Sequence, residues 1–297
     1  MTAVKYEGLK TIFLVMIISQ MIGLYVGYQL SPYTQDEGAQ SVSVLGGDLS
    51  TQVSEDEEST KDTIFIVLLI ILMTFFLLFI IICLKKFNII KLLLLLALAL
   101  TSLIVFSTFL SIFGSYVFGL EAVLASVVCI IWLKYPKKTS VQNIASIITI
   151  AGAAAIIGSS FDVIRILILV SVLSLWDIIA IKSNLLPKLI DSMPEHVPLS
   201  ISSDMNYDNL TKESSPIDDE NTIYSFELGN ADVIFPLALS ISSLKYGFLT
   251  SLLVITFSIA FVFIMFHILI VKKVRVFCAL PPACLGAAVG LAIGVVI

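Results

Sequence analysis

Apolar runs of about 20 residues recur along the whole of the 297-residue chain, and no other feature restricts its fold so tightly. A run of that length, wound as an α-helix at about 1.5 Å per residue, crosses the roughly 30 Å hydrocarbon core of a bilayer. The runs do not alternate polar with apolar residues, as the strands of a membrane barrel would. A chain that is not a barrel must satisfy its backbone in lipid by forming helices. The expected fold class is therefore an all-α polytopic membrane protein. Charged residues make up only 13% of the chain and apolar residues 58%, against about 25% charged in an ordinary soluble domain. So little charge cannot cover a water-facing surface. That excludes a globular cytosolic enzyme, a nucleic-acid binder and a disordered chain.

Nine transmembrane helices are expected, at about 11–30, 63–84, 92–113, 116–133, 141–158, 163–181, 223–243, 247–271 and 276–297. The first, behind Lys5 and Lys10, reads as a retained signal anchor, because it is longer than a typical signal-peptide core and no A-x-A-like site follows it. Span seven is the least regular, since its opening residues, ENTIYSFELGNAD, are polar. With the N-terminus placed in the cytoplasm, only Lys61, Arg165 and Lys245 of the 17 Lys and Arg residues fall on the outer side. The positive-inside bias thus predicts an N-terminus inside and a C-terminus outside. The whole of 1–297 reads as one integral membrane domain: 1–181 holds spans one to six, 182–222 is a cytoplasmic loop, and 223–297 holds spans seven to nine. The outer loop 31–62 is acidic and Ser/Gln/Gly-rich. The cytoplasmic loop begins with proline-punctuated apolar residues, which suggest short interfacial or re-entrant pieces. It continues as SDMNYDNLTKESSPIDDEN, which reads as disordered and exposed. Cys83, Cys129, Cys278 and Cys284 all lie in or beside apolar runs without metal-ligand spacing, and read as small buried hydrophobes.

In a chain this apolar, an acid inside a span stands out, because a carboxylate near the bilayer centre costs at least about 2.5 kcal/mol and is seldom retained without a cavity to face. Three acids in or beside the spans are taken as candidates. Asp162 lies at the outer end of span six, three residues before Arg165, and reads as half of an interfacial ion pair with it. Asp177 lies on the same span near its cytoplasmic end, and Asp232 enters span seven from the cytoplasmic side. Consecutive spans run antiparallel, so Asp177 and Asp232 can meet at one depth. Asp162 cannot replace either, being about 22 Å from Asp177 along the helix. Two carboxylates in contact share a proton, so that one acts as general base toward water and the other as general acid toward a carbonyl oxygen. Gly229 and Ala231 are small enough to allow a close approach beside Asp232. Pro236 should kink the helix or free a carbonyl, and Pro281 with Pro282 should break or kink span nine near its cytoplasmic end.

These residues together resemble the presenilin and signal peptide peptidase superfamily of intramembrane aspartyl proteases, most closely its archaeal presenilin-like branch. The resemblance covers the whole chain. The family has Tyr-Asp on span six, matched by Trp176-Asp177. It has Gly-x-Gly-Asp on span seven, matched by Gly229-Asn230-Ala231-Asp232. It has Pro-Ala-Leu on span nine, matched by Cys278-Ala279-Leu280 with Pro281 following; a second register matches Pro282-Ala283 and skips to Leu285. The chain departs from the family at Trp176, Ala231 and Cys278. The resemblance implies a presenilin-like fold and hydrolysis of peptide bonds in transmembrane segments of other proteins or in signal-peptide remnants. It implies Asp177 and Asp232 as the acid/base pair, and Trp176, Gly229, Asn230, Ala231, Ala279, Leu280 and Pro281 as residues that shape the site or bind substrate. It implies no cofactor and no metal beyond water itself. The expected partners are transmembrane-helix substrates and membrane lipid, with no nucleic acid, and the expected location is the cell membrane. Two other readings suit the same acids: a proton- or ion-coupled transporter or channel, and a non-catalytic relative that only binds membrane helices.

Overall fold

The computed structural model of the chain describes residues 2–31, 87–112, 120–135, 138–182, 200–202, 227–272 and 279–297. Eight α-helices and one two-stranded sheet make up these segments: α1 (Thr2–Leu30), α2 (Phe87–Ile112), α3 (Leu120–Lys134), α4 (Thr139–Ser160), α5 (Val163–Lys182), β1 (Ser200–Ser202), β2 (Glu227–Gly229), α6 (Asn230–Ser242), α7 (Phe248–Lys272) and α8 (Leu280–Val296), with a 3-10 turn, Ser243–Tyr246, between α6 and α7. Four stretches are long and apolar enough to cross a membrane: Leu9–Leu30, Leu92–Ser111, Thr139–Ser160 and Phe248–Leu269. The expected span at 63–84 lies outside the described residues, as do Cys83, Cys278 and most of the loop 182–222.

Two segments depart from the expected elements. Span seven is expected as a helix from residue 223, yet Glu227–Gly229 is extended and the helix begins only at Asn230. The polar lead-in pairs antiparallel with Ser200–Ser202, in the register Ser200↔Gly229, Ile201↔Leu228 and Ser202↔Glu227. Backbone pairing gives these polar residues what a helix without an apolar face would not, and the apolar member of each strand is buried, Ile201 and Leu228 both being almost inaccessible. The all-α expectation is therefore corrected by one short strand pair. Span nine begins at Leu280, and Pro281 and Pro282 lie in the first turn of α8, capped by Ala279. A first-turn residue has no intrahelical N–H partner to lose, so of the two expectations, a break or a kink, the helix start at Leu280 agrees with the break.

α6 is the hub of the packing and contacts α1, α4, α5, α7 and α8. Its residues Pro236–Ser242 are all buried. Glycines make that approach possible. A Cβ at Gly23 or Gly27 of α1 would run into Leu237 or Ile241, and one at Gly158 of α4 would lie 2.6 Å from Ile241 Cβ and 2.7 Å from the Ala238 carbonyl oxygen. α7 and α8 pack as a second close pair, with Gly286 and Gly290 seated directly on the Phe257 and Leu253 carbonyls. Small residues at four-residue spacing let helix backbones touch, and dispersion across such contacts is a main source of cohesion inside lipid. α2 and α3 flank α4 on the far side, around a small cluster of Leu98, Trp132 and Ala145.

Candidate active site

Asp232 is the third residue of α6, and Gly229 caps the helix in an extended conformation (φ −65°, ψ 140°). The Asp232 carboxylate accepts a hydrogen bond from the Gly229 backbone N–H. An acid at the third helical position that reaches back to the cap in this way is half of a capping box, and it satisfies a donor that the helix start leaves open. The same contact explains the glycine, since a Cβ at position 229 would stand 3.1 Å from Asp232 Oδ2. Four residues on, Pro236 lies inside the helix. It lacks the N–H that would have bonded the Asp232 carbonyl, so both the side chain and the backbone of Asp232 are released from ordinary helical pairing.

Asp177 lies in the last turns of α5, partly buried. Its carboxylate is close enough to that of Asp232 for direct electrostatic interaction. The opposite ends of the two elements are matched as well: Lys245, in the turn after α6, holds Asp162, the residue before α5, at 2.7 Å. From Asp162 to Asp177 is about 22 Å of helix, and from Asp232 to Lys245 about 20 Å. Two helices paired at both ends over nearly equal lengths run antiparallel in register, and that register brings the aspartates together. It also corrects the expected Asp162–Arg165 pair, for Asp162 takes the lysine from across the interface.

The other expected residues fall into four groups. Trp176 is partly buried beside Asp177 on α5. Ala279 and Leu280 are buried at the head of α8, with Pro281 partly buried. Asn230 is buried, but it points into a separate crevice lined by α2, α3 and α4. Ala231 is exposed. It was expected to let neighbouring backbones approach, and none of the described residues covers it; the close approaches to α6 are made instead by glycines of α1 and α4. Two further residues belong to the site without standing out in the sequence. Cys284 of α8 lies against Ser174 of α5 and interacts electrostatically with both Asp177 and Asp232. Their spacing carried the signal: Cys284 is one turn from Leu280, and Ser174 is three residues from Asp177, each on the same helix face as its neighbour. Cys284 and Cys129 are free thiols. Among the described residues no group of three His, Cys, Asp or Glu side chains could hold a metal ion.

The site is thus two interacting carboxylates from antiparallel elements, roofed by the head of α8 and approached by the end of an extended strand. Comparison with solved structures finds the same architecture in a presenilin family intramembrane aspartate protease crystallised in two forms. The P2 form is 18% identical with a TM-score of 0.61 and covers 96% of each chain, and the C222 form is 15% identical with a TM-score of 0.58 and covers 97% of each. No curated protein compared with the chain matches it. The family model for signal-peptide peptidase, presenilin aspartyl protease matches residues 41–297, and the chain accordingly belongs to that family of aspartic-type endopeptidases.

Proposed function

We propose that Asp177 and Asp232 are the catalytic dyad and that the protein hydrolyses peptide bonds within transmembrane segments of other proteins or signal-peptide remnants. The observation that carries this reading is that the packed α5–α6 interface brings the two carboxylates within electrostatic reach of each other. In the working state the pair holds one proton. The ionised member takes a proton from water as the water attacks the scissile carbonyl. The protonated member donates to the carbonyl oxygen, and the two roles then reverse as the amine leaves. Gly229, Ala231 and Trp176 border this centre, and Ala279, Leu280 and Pro281 bear on the bound substrate. The β1–β2 pair is two-stranded among the described residues, and its edge offers an unwound stretch of substrate a ladder of backbone partners beside Asp232.

The topology that fits this chemistry is nine spans in one domain, with the N-terminus in the cytoplasm, the C-terminus outside and the dyad near the cytoplasmic face of the cell membrane. The Lys/Arg distribution supports it. The test is to reconstitute the protein in liposomes with a tagged single-span substrate and sequence the products. New peptide termini within the substrate span, formed at a rate that rises and then falls between about pH 4 and 9, are expected of a carboxylate pair sharing one proton. Ion flux without new termini would replace this reading with a transporter, and a flat pH profile would remove the shared proton.

A further inference from the structure

Asn230 opens α6 two residues before Asp232, and at about 100° per residue its side chain leaves the helix on nearly the opposite side from the acid. There it lines a crevice of about 40 Å³ with Leu98, Trp132, Ala145, Ser146 and Thr149. Two of these side chains present an unanswered need. Asn230 Oδ1 and Ser146 Oγ have no hydrogen-bond partner among the described residues, although Asn230 is 9% and Ser146 2% exposed. A buried polar atom left unpaired keeps the full cost of losing its water. A space of more than about 10–15 Å³ with two or more polar groups around it holds water, and this crevice has room for about two or three molecules.

We propose that this crevice is a water-binding site whose waters bridge Asn230 on α6 to Ser146 on α4 and hold the first turn of the Asp232 helix in place. The inference rests on the reading of Asp232 as a catalytic acid. Asn230 and Ser146 are then positioning residues. Neither touches the dyad, and the waters act by fixing the angle at which α6 begins. The Gly229 cap, the Asp232 carboxylate that it bonds and Asn230 all belong to one turn, so a shift of Asn230 is a shift of the acid. A small misplacement of a catalytic group lowers kcat without altering substrate affinity.

The hydration itself is testable without any cleavage. In X-ray radiolysis, hydroxyl radicals arise from water in place and oxidise the side chains beside it. With the full-length Asp232→Asn protein in detergent, Leu98 is expected to oxidise about tenfold faster than Leu237, a residue of the same type in the dry core; they are 4% and 0% exposed. Ser146→Leu, which fills the crevice, should bring Leu98 down to the Leu237 rate. Equal rates in the unfilled protein would mean a dry crevice and would overturn the proposal. With the active chain, Ser146→Ala and Asn230→Ala should each lower kcat about tenfold at constant KM, and together cost no more than the worse of the two. Ser146→Thr, which keeps the hydroxyl, should restore kcat. Additive losses, or losses confined to KM, would also overturn it. If the wild type makes no new termini at all, the proposed protease function fails while the labelling result stands; a dry crevice sinks the water site alone.

Discussion

The two helices that carry the aspartates are built on opposite terms. α6 has 13 residues, too few to span a bilayer alone, and from Pro236 to Ser242 every one of them is buried by other helices. α5 has 20 residues, and along its length Ile164, Leu175 and Ile179 are between 55% and 65% exposed. One acid is mounted on an element that the protein surrounds, the other on an element with one face toward the packing and one face out. Burial by glycine-notched neighbours fixes α6 from several sides, whereas α5 is held mainly along its inner face and by the Lys245–Asp162 pair at its far end. If the two acids form one catalytic site, α6 supplies the wall that packing holds steady and α5 the wall with a face turned outward.

The largest effect should ignore this contrast. If the carboxylates act as one unit, Asp177→Asn and Asp232→Asn lower cleavage to a similar extent, by about 10²–10⁴-fold, with both proteins still folded in membranes. Substantial cleavage by either variant would break the pairing of the two helices as a catalytic unit.

The contrast itself shows when packing is changed. Gly158→Val pushes a side chain into Ile241 and the Ala238 carbonyl and should cost about 1–3 kcal/mol or more, with activity lost as α6 is displaced. Leu175→Ala, on the outward face of α5, should stay within about 0.5 kcal/mol. Thermal unfolding in detergent, followed by tryptophan fluorescence, compares them; equal losses would mean that α6 is no more constrained than α5.

A third change separates access from packing. Ala231 is exposed, so Ala231→Leu should fold normally and yet lower cleavage by about 10- to 100-fold by crowding the bound substrate. Ala231→Gly should keep activity at a helix cost of up to about 1 kcal/mol. Normal cleavage by the leucine variant would place residue 231 away from the substrate path.

The smallest effect is expected at the end of the α5–α6 pair away from the aspartates. The Lys245–Asp162 pair is partly exposed, with side chains 18% and 43% accessible, and Lys245→Met should cost at most about 1 kcal/mol, less at high salt. Cleavage should be unaffected within about twofold. A larger loss would show that the α5–α6 register depends on this pair and not on the packing around α6.

Much of this site is legible in the amino-acid sequence. Asp177 and Asp232 stand out because charge is so scarce in the spans, and antiparallel succession lets them meet because each lies near the same end of its span. The expectations that fail share a physical cause. Arg165 suggests itself as the partner of Asp162 because it is near in sequence, while Lys245 is near only after α5 and α6 have packed. Pro281 and Pro282 suggest either a break or a kink, and the helix start at Leu280 agrees with the break; hydropathy cannot choose between the two in a run that is apolar throughout. The strand before Gly229 is hidden because its partner, Ser200–Ser202, lies about 25 residues away in a polar loop, where the alternation Leu199-Ser200-Ile201-Ser202 is too short to mark a strand. Ser174 attracts no notice and Cys284 reads only as a small buried hydrophobe, because a serine or cysteine in an apolar helix is ordinary until another helix brings an acid beside it.

By itself, the sequence determined the class of the molecule: helices long enough for lipid, and which two acids are worth joining. These follow from composition, length and periodicity, which are local and are set by the cost of placing polar groups in hydrocarbon. Only the tertiary structure decided that α6 is the encased hub, that its first turn bonds the Gly229 N–H to Asp232, that Ala231 faces outward, and that Asn230 turns away from the acids into its own crevice with Ser146. Those outcomes depend on which helix faces touch, and in lipid that is settled by close packing of small residues from distant parts of the chain, because apolar surface alone does not favour one neighbour over another.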